Sequence, residues 1–369
     1  MQSKCCGHKS CWKKGTLVIM GASFFAVLLL LATEGQLMAA PVKIEKVSYG
    51  GWNECYRMTN GEVELIAVAE VGPRIIHFSL VGQENVFHVA KETLGQKSGD
   101  QWVSYGGHRL WQAPEDVVVT YYPDNIPVKA IVEGNKLTLI AAPEVLDPDL
   151  RKAFKTSEQI EAKMSDPSFR ASLGIRKRMD ITMNEDGQVT VQHSIFNEGV
   201  KPIELASWAL TVLTKEGFAI IPNPLYAAHG PGHFLPVRSL MTWSYTDLSD
   251  PRIIFLKKYM ILKQNPSMTA PIKIGFNYTQ NWVAYAVKNS LFVKTLAYRP
   301  SATYPDMGCS VEFYTNEDML EMESLGPTET LKPSVGVGHT EKWRLYKIEP
   351  LTPSEQILDQ IIPPLQLGS

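Results

Sequence analysis

The chain has 369 residues, 44% of them hydrophobic and 20% charged, with a formal net charge of −2. This is the composition of a globular protein with material for one large core or two smaller ones. No basic or acidic block stands out, which argues against nucleic acid or an anionic membrane surface as a partner.

The first stretch reads as a targeting segment. Lys4, Lys9, Lys13 and Lys14 form a basic start, an uncharged apolar run extends from Thr16 to Ala32, and Leu37-Met38-Ala39-Ala40 offers small residues for cleavage. That is the plan of a secretory signal peptide over residues 1–39, cut after Ala39 or Ala40. An uncleaved anchor is the alternative, because the uncharged run is nearly long enough to span a bilayer. The expected product is exported, periplasmic or extracellular, and has no membrane attachment. Cleavage removes four lysines and one glutamate and leaves a mature charge of about −5. Of five cysteines only Cys55 and Cys309 remain, as a disulfide or as two buried thiols.

From residue 40 to 349, short segments of alternating or β-branched apolar residues dominate. Val63–Val68 and Arg74–Leu80 read as strands on either side of Gly72-Pro73. Ser104 to Glu115 then reads as a connection carrying Gly106-Gly107, His108, Arg109, Trp111 and Glu115. Paired glycines let the backbone turn sharply. The residues after them supply an imidazole, a fixed cation, a flat apolar face and an acid, the equipment of a site for a polar ring such as a sugar. The plainer alternative is a loop whose His108 and Arg109 only satisfy carbonyls.

Val117–Tyr122 is expected to be a strand, and Gly134-Asn135 marks a hairpin between Val128–Glu133 and Lys136–Ile140. Asp149–Leu173, with charges at helical spacing, predicts a short helical insertion. A second hairpin turns at Asn184–Gly187, and further strands are expected through Glu341–Ile348. Ser354–Gln360 predicts a helix in a C-terminal tail of residues 350–369. Tight turns between alternating segments mean antiparallel pairing, and so many strands must stack in two layers to bury their apolar faces. The expectation is one all-β domain.

Among residues that carry chemistry, several devices are missing: no P-loop, no dinucleotide fingerprint and no serine in a nucleophile elbow. His229 and His233 are four apart, but Gly230-Pro231-Gly232 between them forbids a regular helix, so a loop over a pocket mouth is expected there rather than a metal site. Glu321 and Glu323 are two apart, so on a strand both point to one face and Leu320 and Met322 to the other. Carboxylates paired in a cavity repel, which raises at least one pKa and suits acid–base work. Solvated strand face is the competing reading. Lys273, Lys294 and Asp306 are further candidate contacts, and Trp111, Trp208 and Trp282 either stack on sugar rings or fill the core.

The order of these fragments carries more than any one of them. Val71-Gly72-Pro73-Arg74-Ile75-Ile76, Asn85-Val86-Phe87 and Gly106-Gly107-His108-Arg109-Leu110-Trp111 are followed by Phe196-Asn197-Glu198-Gly199 and Ala206-Ser207-Trp208-Ala209-Leu210. Tyr304-Pro305-Asp306, Leu320–Pro327 and His339-Thr340-Glu341-Lys342-Trp343 close the series. The series resembles a bacterial family of unknown function in the galactose mutarotase-like (aldose 1-epimerase) superfamily, over roughly residues 45–348. The resemblance implies a β-supersandwich with a sugar-binding cleft on a concave sheet.

It also implies anomeric chemistry, in which a glutamate takes the proton of the anomeric hydroxyl while a histidine protonates the ring oxygen. No metal or other cofactor takes part. Carried over, Glu323 matches the glutamate, with Glu321 as the second register, and His108 matches one histidine. Arg74 becomes a hydroxyl-binding residue. The chain departs from the epimerases at Trp208, which stands where a second histidine belongs, and His193 lies on the preceding strand. Three readings stay open: a mutarotase-like enzyme with Glu323 as base and His108 as acid, a carbohydrate-binding protein without catalysis, and a relative of polysaccharide lyases or hydrolases. The first requires His108, Arg74 and Glu323 to converge on one hollow.

Overall fold

A computed structural model describes residues 41–99, 101–116, 119–144, 174–278, 280–365 and 367. The expected signal peptide and the helical insertion at 149–173 lie outside the described residues. Strands are numbered in chain order, and every pairing is antiparallel. The first sheet runs β1 (Lys43–Tyr49), β2 (Trp52–Thr59), β3 (Val63–Val68), β4 (Arg74–Leu80) and β5 (His108–Ala113). It continues through β10 (Ile203–Leu213), β19 (Leu320–Leu325), β18 (Val311–Thr315), β15 (Ile272–Phe276) and β12 (Leu240–Thr242), while β20 (Glu329–Leu331) also pairs with β10.

The second sheet begins with β13 (Ile253–Phe255), β14 (Tyr259–Lys263), β11 (Phe218–Pro222), β16 (Trp282–Val287) and β17 (Ser290–Leu296). Beside β17 come β21 (Gly336–Lys347), β9 (Val189–Asn197), β8 (Ile175–Met183), β7 (Lys136–Ile140) and β6 (Lys129–Glu133). Successive side chains on a strand point to opposite faces, so each sheet has an inner face towards its partner and an outer one. Leu65, Phe78, Leu110, Phe313 and Met322 of the first sheet meet Leu139, Met179, Val191, Phe292 and Trp343 of the second in one apolar core. Phe78 bridges the layers, with ring centroids 5.8 Å from Phe292 and 5.6 Å from Trp343. Such pairs add about 0.5–1.5 kcal/mol each beyond the area they bury.

Both outer faces are covered as well. A helix, α1 (Glu355–Ile361), capped by Ser354 Oγ accepting from the Ile357 amide, lays Leu358 on the outer face of the second sheet against Ile220, Ile261 and Trp282. The outer face of the first sheet carries a second apolar layer of Trp111, Trp208, Leu210 and Cys309, flanked by Trp102, Tyr121 and Trp243 from connecting segments. A strand covered on both sides is buried along its whole length. All six residues of β5 and all six of β19 are buried.

Two expectations are corrected here. His108–Ala113 is a central strand, not a connection, because the loops over the outer face make even its charged residues interior. Val119–Tyr122 is turn and irregular chain instead of strand. Its Tyr121 leaves the backbone ladder to pack on Trp102 and Trp111, at 5.4 and 5.0 Å. Cys55 and Cys309 are both buried free thiols. No helix among the described residues is long and apolar enough to cross a membrane.

Candidate functional site

Register places the expected site residues. Across the first sheet Arg109 pairs with Leu210, Leu210 with Glu323, and Glu323 with Glu312. Opposed residues share a face, and this row faces outward together with the row of Trp111 and Trp208. One residue along, His108 pairs with Thr211 and Thr211 with Met322, a row that faces inward. The expected meeting of His108 with Glu323 therefore does not occur. The two side chains stand on opposite faces of one sheet, because β5 is a strand and adjacent residues on it must diverge.

The outer-face cluster is built by β5, β10, β15, β18, β19 and the loop before β18. Trp208 Nε1 donates to Glu323 Oε2 at 2.7 Å, and Lys273 Nζ reaches the same oxygen at 3.1 Å and Glu312 Oε2 at 2.8 Å. Arg109 Nη2 donates to Glu321 Oε1 at 3.0 Å and its guanidinium lies over the Trp111 ring at 4.3 Å. The Lys273 ammonium sits over Trp208 and Trp243, 4.7 Å from each ring. Glu312 and Glu323 are fully buried, and Arg109, Lys273 and Glu321 nearly so. Asp306 and Trp243 are half-buried, and Tyr245 and Glu115 lie exposed at the rim.

Two backbone features bring the rim in. A Cβ on Gly275 would stand 2.4 Å from Cys309 Sγ, so glycine there lets the loop before β18 approach the sheet. In that loop Asp306 and Met307 adopt φ of 50° and 62°, conformations that non-glycine residues seldom hold.

Burial raises the Glu312 carboxyl well above its ordinary range; Lys273 opposes this, and Glu323 and Asp306 reinforce it. Burial also raises Asp306, which shares a hydrogen bond with Glu312, and Glu321, against which Arg109 works. Burial alone would depress Lys273, but Glu323 and Glu312 beside it raise it above its usual value. The cluster thus combines acids inclined to hold a proton with a firmly charged ammonium.

The inner-face cluster is a separate construction between the sheets. His108 Nε2 lies 2.8 Å from His193 Nε2, and His108 Nδ1 2.8 Å from Thr211 Oγ1. Lys294 Nζ donates to Thr211 Oγ1 and the Met322 carbonyl, and pairs with Glu341 Oε1 at 2.9 Å. Because the His339 carbonyl facing His193 Nδ1 can only accept, the proton positions follow. Thr211 donates to His108, His108 to His193, and His193 to that carbonyl. On the other side His339 lies between Ser207 and Ser324, and Ser324 donates to Glu341. Burial pushes His193 down to about 4 and His339 to about 3, and lowers His108 well below its usual value. Burial would raise Glu341, but Lys294 and the histidines hold it below the carboxylate range.

Ligand-type atoms of His108, His193 and Glu341 lie within 4.8 Å of one another, the spacing of a metal-binding group. The hydrogen bonds just traced already use those atoms. Lys294 neutralises the single carboxylate, so a divalent ion would sit there with its charge uncompensated.

Of the residues expected to touch a ligand, Arg109, Trp111, Trp208, Lys273, Asp306, Glu321 and Glu323 come together on the outer face. His108, His193 and Lys294 do not join them; they are sealed between the sheets. Arg74 is corrected too: it is 0% exposed, with its guanidinium donating to the Gly106 carbonyl and to Asp124, each at 2.7 Å. Glu312, Trp102, Trp243 and Tyr245 complete the outer cluster and escaped the sequence reading. Glu312 alone had a signal, since Val311-Glu312-Phe313 places one acid between two core residues on an expected strand.

The fold is an antiparallel β-supersandwich of the galactose mutarotase-like kind. Among solved structures, a candidate aldose 1-epimerase from Klebsiella pneumoniae is 9% identical, aligned over 89% of this chain and 88% of that one with a TM-score of 0.51. A galactose mutarotase-like protein from Lactobacillus casei is 8% identical over 79% and 99% of the chains, with a TM-score of 0.47. One from Clostridium acetobutylicum is 11% identical over 84% and 99%, also at 0.47. At such identities the likeness is one of fold. No family model matches the chain, and no curated protein matches it.

Proposed function

We propose that the outer face of the first sheet binds a carbohydrate. The observation that carries this is a concentration of buried polar atoms without partners. Trp102 Nε1 and Arg109 Nε are unused donors, and Glu323 Oε1 accepts no hydrogen bond. Leaving a buried polar group unmade costs about 1–3 kcal/mol, so a protein that holds donors and acceptors open in one place is organised to receive a ligand that has both. Sugar hydroxyls donate and accept, and sugar ring faces stack on indole. The fold likeness to mutarotase-like proteins supports the same reading.

The test is saturation-transfer NMR and calorimetry against a panel of free aldoses, amino sugars, uronic acids and short oligosaccharides. Binding to at least one, weakened about tenfold or more in Arg109→Ala, is expected; no binding across the panel refutes the proposal.

A catalytic version is favoured by the split among the carboxyl groups. Glu323, which accepts from Trp208 and Lys273 in the manner of a carboxylate, would take the anomeric hydroxyl proton. Glu312, or Asp306 hydrogen-bonded to it, would give a proton to the ring oxygen as the bond from the anomeric carbon to that oxygen breaks. Closure from the other face of the aldehyde returns both protons. In this version the acid is a carboxyl group and not His108. Anomer exchange followed by NMR should be accelerated by the protein and fall about a hundredfold or more in Glu323→Gln. Unaccelerated exchange leaves a binding protein. We read residues 1–39 as an export signal, which predicts a secreted form beginning at Ala40 or Pro41 by mass spectrometry.

A further inference from the structure

The outer-face cluster carries more acid than base. Among its described residues, five carboxyl groups (Glu115, Asp306, Glu312, Glu321 and Glu323) meet two cations, Arg109 and Lys273. Both cations are already engaged, Arg109 with Glu321 and Lys273 with Glu312 and Glu323. Acid groups therefore outnumber cations five to two, and neither cation is left free for an anionic ligand. Glu323, 0% exposed, keeps Oε1 without any partner in the middle of this group. The aromatic walls are suited to positive charge as well, since indole faces attract cations. Trp208 and Trp243 already flank the ammonium of Lys273, and Trp111 the guanidinium of Arg109.

A sugar carboxylate brought here would meet acid groups and no unpaired cation, inside a site that water screens poorly. An ammonium would find an unused carboxylate oxygen and an aromatic surround. We infer that the ligand of this face is an amino sugar, its ammonium received by Glu323 Oε1 and the Asp306–Glu312 carboxyl pair. Its hydroxyls then take the free donors of Trp102 and Arg109. This rests on the carbohydrate reading above and narrows it.

The experiment is calorimetry on the full mature protein at pH 7 and low salt with matched sets: glucosamine, N-acetylglucosamine, glucose and glucuronate, and the same four in the galactose series. In at least one series the free amino sugar should bind about tenfold or more tightly than the parent hexose. Acetylation of the nitrogen should erase the difference, the uronate should be the weakest of the four, and 0.5 M salt should shrink the amino advantage. Glu323→Gln should remove that advantage, so that the amino sugar and its parent hexose bind the variant equally. Asp306→Asn, at a half-buried loop position, gives the same test if the first variant does not fold. A uronate that binds as tightly as its parent hexose, or an amino advantage that survives both substitutions, overturns the inference and leaves the carbohydrate reading intact. Absence of binding by all eight sugars overturns the inference, and the carbohydrate reading falls with it only when the short oligosaccharides also fail to bind.

Discussion

Lys294 and Glu341 show how much a single buried pair can carry. Both are 0% exposed, 2.9 Å apart, and each holds further groups: Lys294 the Met322 carbonyl and Thr211, Glu341 the Ser324 hydroxyl and the Trp343 indole. Taking one partner away leaves a charge stranded between two sheets. Lys294→Met should cost about 3–5 kcal/mol of unfolding free energy, measured by urea titration. The double variant Lys294→Met/Glu341→Gln should recover part of that loss. A single variant as stable as the parent would show that the pair is not held in this form. Met322 lies between Glu321 and Glu323, so Lys294 also helps set the strand that bears both outer-face acids.

At the scale of the element, β5 decides the arrangement. Gly106 and Gly107 precede it with φ of 79° and 71°, and a Cβ on Gly107 would stand 2.3 Å from the Ile75 carbonyl oxygen. These glycines bring the chain tightly against β4 and start the strand in the register that sends His108 inward and Arg109 outward. Gly107→Ala should cost at least about 1–3 kcal/mol from the left-handed backbone alone. Its weakened ligand binding, read by calorimetry, should track that of Arg109→Ala. By contrast β19 was legible beforehand: acids at 321 and 323 alternate with apolar residues at 320 and 322, and alternation of that kind reports facing directly. In β5 His108, Arg109 and Gln112 are scattered among apolar residues with no period of two. Its facing could not be read, and the stretch resembled a loop.

For the whole molecule, the inter-sheet network links stability to pH. His193 falls from an ordinary 6.5 to about 4 on folding, because burial disfavours its charged form. An unfolded chain binds that proton near pH 6.5 while the native one refuses it until about 4. The contribution is therefore complete above about pH 6.5 and is lost as pH falls through 4. At about 1.4 kcal/mol per unit, His193 contributes on the order of 3 kcal/mol. The raised acids Glu312 and Glu321 act in the opposite sense: their stabilisation is present at low pH and is lost as pH rises through their folded values. The two effects are separated by comparing the protein with His193→Gln in urea at each pH. The advantage of the parent over the variant should shrink steadily from pH 6.5 to 4, and a constant advantage would mean that His193 is not buried neutral.

The amino-acid order by itself determined a chain of many short antiparallel strands, its tight turns and the shared facing of Glu321 and Glu323. Each of these is a local property of backbone and neighbouring side chains. Only the tertiary structure decided which residues meet, since Arg109 and Glu321 are 212 positions apart and His108 and His193 are 85. It also decided that His108 and Glu323 never share a hollow. Strand register across three separate segments, β5, β10 and β19, sets that outcome, and no pattern of polarity along one strand records how it lines up with the others.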